Sequence, residues 1–199
     1  MSLAEDSIKH TNDLVQKRGD VQFTTGGSGI SHSEQNENPS ETVHFLQIWC
    51  KPWARSLPPT YHTSTFDEAA KHEGFVKILS PLKGGPGASS DEEKAAEPSI
   101  PQTIPIHADF VMGATIISVG KTHTWKVGGD VVRKTTNRNV YVHVPMTRGG
   151  KAKVMLDGRA NATLAEGDGA FVTLANAGDE LTFESVGSEA AECVVLDSD

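Results

Sequence analysis

The chain has 199 residues, 37% hydrophobic and 22% charged, ordinary proportions for a globular protein with one large or two small cores. A formal net charge of −8 and an isoelectric point near 5.4 work against binding to a phosphate backbone, which needs a basic face. No apolar run reaches the length of a membrane span and no signal-peptide pattern opens the chain, so the expectation is a cytoplasmic protein with no direct nucleic-acid or membrane contact. Cys50 and Cys193 lie in separate apolar runs and read as buried reduced thiols, not as a disulfide or a ligand pair.

Residues 1–17 are polar, with a short strand expected over 7–11 and a turn at Asn12-Asp13. His10 there is a possible nitrogen donor, and a surface histidine is the plainer reading. Gly19-Asp20 forms a tight turn, because Gly takes positive φ freely and Asp bonds its own backbone. Residues 21–24 alternate apolar and polar as a half-buried strand does, and Gly-Gly-Ser-Gly at 26–29 bends the chain into a second strand over 30–34. On that strand His32 and Glu34 are two apart, so both project to one side, the interior of the first β unit. A first-row metal takes that nitrogen-plus-oxygen pair.

Residues 43–49 read as a strong strand, broken by Lys51-Pro52-Trp53 because proline cannot donate into a ladder. Trp53 and Tyr61 frame a proline-rich connector and are expected to pack there. Thr65-Phe66-Asp67-Glu68 fits a capping box that opens a short helix ended by Gly74. Residues 75–79 begin a second core as an alternating strand. Residues 83–101 are rich in Gly, Pro, Ser and charge, which predicts a mobile, dispensable surface loop.

From residue 104 onward the pattern is all β, with strands expected over 104–109, 111–119, 139–145, 152–156, 170–174, 180–183 and 192–196. Asp157-Gly158 is a type I′ hairpin signal. Glu166-Gly167-Asp168-Gly169-Ala170-Phe171-Val172-Thr173 faintly repeats Arg18-Gly19-Asp20-Val21-Gln22-Phe23-Thr24, without a histidine at the place of His32.

The stretch Gly-Asp-Val-Gln-Phe-Thr-Thr-Gly-Gly-Ser-Gly-Ile-Ser-His-Ser-Glu at 19–34 resembles the second metal motif of the pirin family. His44-Phe45-Leu46-Gln47-Ile48-Trp49, Pro59-Thr60-Tyr61 and Ile106-His107-Ala108-Asp109 continue the resemblance over most of the chain. It implies an all-β bicupin: two double-stranded β-helix (cupin) barrels in tandem, the first incomplete, with one short linking helix. Residues 1–58 would be the remainder of the first barrel, 59–74 the linker and 75–199 the second barrel, which is structural in the family. The family binds iron in its first barrel through three His and one Glu. His32 matches the third His and Glu34 the Glu, while the family's earlier His-x-His has no counterpart before His32, so the expected site is incomplete.

The implied cofactor is Fe(II) or another divalent first-row metal. The implied ancestral chemistry is that of a quercetin 2,3-dioxygenase acting on a flavonol, with Glu34 as ligand and general base. The alternative is a non-catalytic interaction protein or transcription cofactor, which would add the nucleus to the cytoplasm. An incomplete barrel leaves an open edge, so a homodimer through the first domain is expected.

Overall fold

The computed structural model describes residues 8–10 (backbone alone), 15–36 and 38–199. The chain divides into two compact units between Phe66 and Asp67, so the expected linker is shared out: its first residues pair within unit one and its helix packs within unit two.

Unit one contains β1 (Ile8–His10), β2 (Val15–Gln16), β3 (Asp20–Thr25), β4 (Glu34–Asn36) and β5 (Thr60–Thr65). The first, second and fourth form an antiparallel sheet in the order β2-β1-β4, and β3 pairs with β5. The turn before β3 forms as expected. Gly19 has φ 85°, and the Asp20 carboxylate accepts from the Lys17 amide at 2.8 Å. Two expectations change here. Residues 30–33 are not strand, since pairing begins only at Glu34. Residues 43–49 alternate like a strand but no described strand pairs with them, and they run as irregular chain with Phe45 52% and Trp49 88% exposed. Pattern fits a strand to a sheet only where backbone partners exist. Among the described residues of this unit Phe66 alone is a buried hydrophobic.

Unit two opens with α1 (Glu68–Glu73). Its N-cap is Asp67, whose carboxylate accepts from the Ala69 amide at 2.9 Å. The expected cap, Thr65, instead closes β5 and donates its hydroxyl to Asp20 Oδ1 at 2.7 Å. There follow β6 (Val76–Pro81), α2 (Ser90–Ala95), β7 (Ile104–Ile106), β8 (Phe110–Ile117), β9 (Thr122–Lys126), β10 (Arg138–His143), β11 (Lys153–Leu156), β12 (Thr163–Ala165), β13 (Gly169–Ala175), β14 (Glu180–Ser185) and β15 (Ala191–Ser198). They form a six-stranded sheet, β13-β10-β15-β8-β6-β7, and a four-stranded sheet, β12-β11-β14-β9.

Alternate residues of both sheets enclose one core around Trp125, Phe183, Val140, Val142, Val154 and Val195. Phe75 meets Trp125 and Phe183 edge-on, with centroids 5.3 and 5.0 Å apart. The Trp125 ring lies against Gly113 so closely that any Cβ there would collide with it. Asp157 and Gly158 both take positive φ, 49° and 63°, as the hairpin signal requires.

The segment expected to be a loose loop is folded. Ser89 and Glu92 form a capping box at the start of α2, and His107 contacts Glu93 at 2.7 Å. Leu82, just before the segment, is 2% exposed, and Ile100 packs against the core with its amide donating to Ser80 Oγ at 3.0 Å. Polar composition across the segment hides these buried anchors.

Candidate functional site

The Gly-rich bend at 26–29 carries the chain from β3 to β4 and sets His32 two residues before β4 extends. His32 Nε2 and Glu34 Oε1 stand 3.5 Å apart, with side chains 38% and 25% exposed. The side chains therefore meet although His32 lies outside β4, and they do so on a surface open to solvent and not in an enclosed interior. Two donors each about 2.1 Å from one ion are about 3.0 Å apart at a right angle and about 3.4 Å apart at the tetrahedral angle. The observed spacing fits a shared divalent ion, and an imidazole with a carboxylate suits a first-row metal.

No described cluster of three or more His, Cys, Asp or Glu side chains gathers around this pair or elsewhere. The backbone register sets His10 opposite Glu34 across β1 and β4, while the His10 side chain lies outside the described residues. Other described histidines make contacts of their own. His44 is exposed in the irregular segment, and His62 is 6.2 Å from the Phe23 ring. In unit two, His123 Nδ1 meets the Thr115 hydroxyl at 2.6 Å, and His143 lies parallel to Tyr141.

Sequence reading assigns Tyr61 a packing role in the connector, and the structure places it beside Gln22 of β3. Register pairs Thr24 with Tyr61 and Gln22 with Thr63, so Tyr61 and Gln22 are diagonal neighbours on one face of β3 and β5. The Tyr61 hydroxyl donates to Gln22 Oε1 at 3.2 Å. Partial burial, and then the negative charge of Glu34, push its phenol above the ordinary range. Tyr61 is thus a neutral hydroxyl within the field of Glu34 at neutral pH.

The sequence profile of the family described as Pirin matches residues 4–50. The chain is 32% identical over 131 residues to a pirin-like protein of Caulobacter vibrioides, covering 63% of this chain and 49% of that one. It is 32% identical over 81 residues to a quercetin 2,3-dioxygenase of Escherichia coli K12, covering 39% of this chain and 34% of that enzyme. It superposes on the crystal structure of Escherichia coli YhhW with a TM-score of 0.67 at 19% identity, covering 98% of this chain and 68% of that chain. A second crystal structure of that protein, described as a bacterial pirin in complex with nickel(II), matches with a TM-score of 0.66 over 98% of this chain and 69% of that chain. The fold is therefore the cupin type of the pirins, and this chain spans about half the length of the Caulobacter relative (49%).

Proposed function

For a chain that belongs to the pirin family, as this one does, we propose that His32 and Glu34 are two protein ligands of a divalent first-row metal in a site of dioxygenase type. The observation that carries the proposal is the 3.5 Å approach of His32 Nε2 to Glu34 Oε1 on a motif matched by the family profile. Nickel(II) in YhhW supports a metal, and the name of the Escherichia coli relative supports a flavonol such as quercetin as substrate. Fe(II) is the metal implied by the family resemblance. The described residues supply two donors, so further donors come from solvent or from residues outside the described set.

A bound ion would acidify a coordinated aromatic hydroxyl. Glu34 is suited to hold the proton released from that hydroxyl, being partly exposed and free to exchange it with water. His32 has no such second role and serves to fix the ion. Tyr61, kept protonated, can turn its single O–H from Gln22 Oε1 toward an oxygen of a substrate lying beside Glu34. The test is quercetin consumption by the chain after anaerobic loading with Fe(II) or Ni(II). Turnover lost in Glu34→Gln supports the proposal, and equal rates in chain and variant refute it.

A homodimer through unit one is part of the same proposal. Phe45, Ile48 and Trp49, at 52%, 38% and 88% exposed, are the surface it would cover. Light scattering at low micromolar concentration decides between a dimer and a monomer.

A further inference from the structure

We propose that β13 is an association edge, at which a second copy of this chain pairs antiparallel across a two-fold axis through Phe171. β13 ends the six-stranded sheet and, among the described residues, pairs with β10 alone. At the start of that ladder the Val144 amide donates to the Asp168 carbonyl at 3.1 Å, and the Val144 carbonyl accepts from the Gly167 amide at 2.8 Å. Backbone groups alternate along a strand, so Val142 and Val140 also face β13 and take up the backbones of Ala170 and Val172. The amides and carbonyls of Gly169, Phe171 and Thr173 therefore point away from β10, along the open edge.

The other sheet edges of unit two carry protection that β13 lacks. β7 is three residues long and contains Pro105, β12 is three residues long, and β9 bears Lys126. β13 has seven residues with no charge and no proline. Ala170 and Val172 pack against the core, while Phe171 is 77% and Leu174 78% exposed. The Tyr141 ring lies 4.8 Å from that of Phe171 and supports it, with the Tyr141 hydroxyl filling the space over Gly169. A bulge opposite Asn139 sets Leu174 at φ 62°. Bulges commonly blunt an edge, but this one turns a leucine to solvent at a cost in backbone strain.

A copy of the same strand fits these features. With Phe171 facing its own copy, Gly169 falls opposite Thr173, and about six ladder bonds form. The two Phe171 rings extend the row begun by Tyr141, and Ala170 meets Val172 on the core side, so both faces stay apolar across the junction. No charged side chain lies in the strand, so two chains of net charge −8 meet here without like charges facing each other. A charged peptide strand would instead set its charges against Phe171 and Leu174. The contact buries on the order of 800 Å², below the roughly 1,200 Å² of a stable interface, so pairing is weak and forms at about 100 micromolar.

The test uses the full chain carrying Trp49→Ser, which removes the exposed indole of unit one and so leaves association there uncounted. Sedimentation equilibrium should show the mass rising toward a dimer between about 10 and 500 micromolar, and Phe171→Lys should move that rise at least about tenfold higher in concentration. With Cys50→Ser added, Phe171→Cys should form an interchain disulfide under mild oxidation, because residues facing each other at the axis have Cα atoms about 5.5 Å apart. Thr173→Cys should cross-link at least about tenfold more slowly, its two copies lying about 14 Å apart. A chain that stays monomeric points to a foreign strand as occupant and overturns the proposal. So does a mass rise that Phe171→Lys leaves unmoved, or a Phe171→Cys that does not outpace Thr173→Cys.

Discussion

Asp20 and Asp168 hold the same turn in the two units. Each carboxylate accepts from the amide three residues earlier, Lys17 at 2.8 Å and Ala165 at 2.9 Å. Each amide returns a bond to the carbonyl of that same residue at 3.0 Å. The preceding glycines, Gly19 and Gly167, have φ of 85° and 84°. A third copy, Asn176 to Asp179, launches β14 with a 2.8 Å bond and φ 95° at Gly178. The faint repeat in the sequence is thus a repeated strand-launching turn, and the metal-type pair follows only the first copy.

Gly167→Ala isolates the conformational term of that turn. A Cβ there meets nothing nearer than Met146 Cγ at 3.7 Å, so the cost is positive φ alone, about 1 kcal/mol. Urea unfolding should show that loss, and an unmoved midpoint would refute it.

Arg138 is fully buried between Asp197 and Asp109, with its Nε 2.6 Å from Asp197 Oδ1. Arg138→Met strands two carboxylates in a dry site and should destabilise the chain by about 3–5 kcal/mol. Chemical denaturation checks it. A loss below about 1 kcal/mol would mean the carboxylates protonate or hydrate at little cost.

Lys77 gives a pH signature in stability. Its folded pKa, about 8, lies below the unfolded value of about 10.4, so between these values the unfolded chain binds more protons. Its contribution to stability should therefore rise from pH 8 toward pH 10 and stay at its full penalty below pH 8. Subtracting the profile of Lys77→Met from that of the unmodified chain isolates this rise. A flat difference over that window contradicts it.

Cys193 is fully buried, and burial pushes its thiol up to about 12, whereas Cys50 is half-buried. A disulfide thiol reagent at pH 8 should leave Cys193 unmodified until the chain unfolds. Rapid reaction of Cys193 in the native chain would show that β15 opens locally.

The sequence was most legible where pattern and partners coincide. The alternating runs of unit two became β7, β8, β10, β11, β13, β14 and β15 because each finds a neighbour on both the hydrogen-bonding and the packing side. Thr122-His123-Thr124-Trp125-Lys126 was missed as a strand because one aromatic carries all its burial. Residues 43–49 failed the opposite way, with a strong pattern and no described partner. The expected pairing of His32 and Glu34 assumed one strand through both, whereas His32 precedes β4 and reaches Glu34 from irregular chain. Their exposure was not legible, since it depends on what stands over the pair. Tyr61 required the β3–β5 register, which no local pattern supplies.

The most direct test of the metal reading is calorimetric titration of the metal-free chain with Ni(II), beside His32→Ala and Glu34→Ala. The account predicts one ion per chain, bound by the unmodified protein and lost in both variants, with His32→Ala the more severe because a neutral imidazole is the stronger donor. No binding by the unmodified chain, or binding unchanged in both variants, would contradict it.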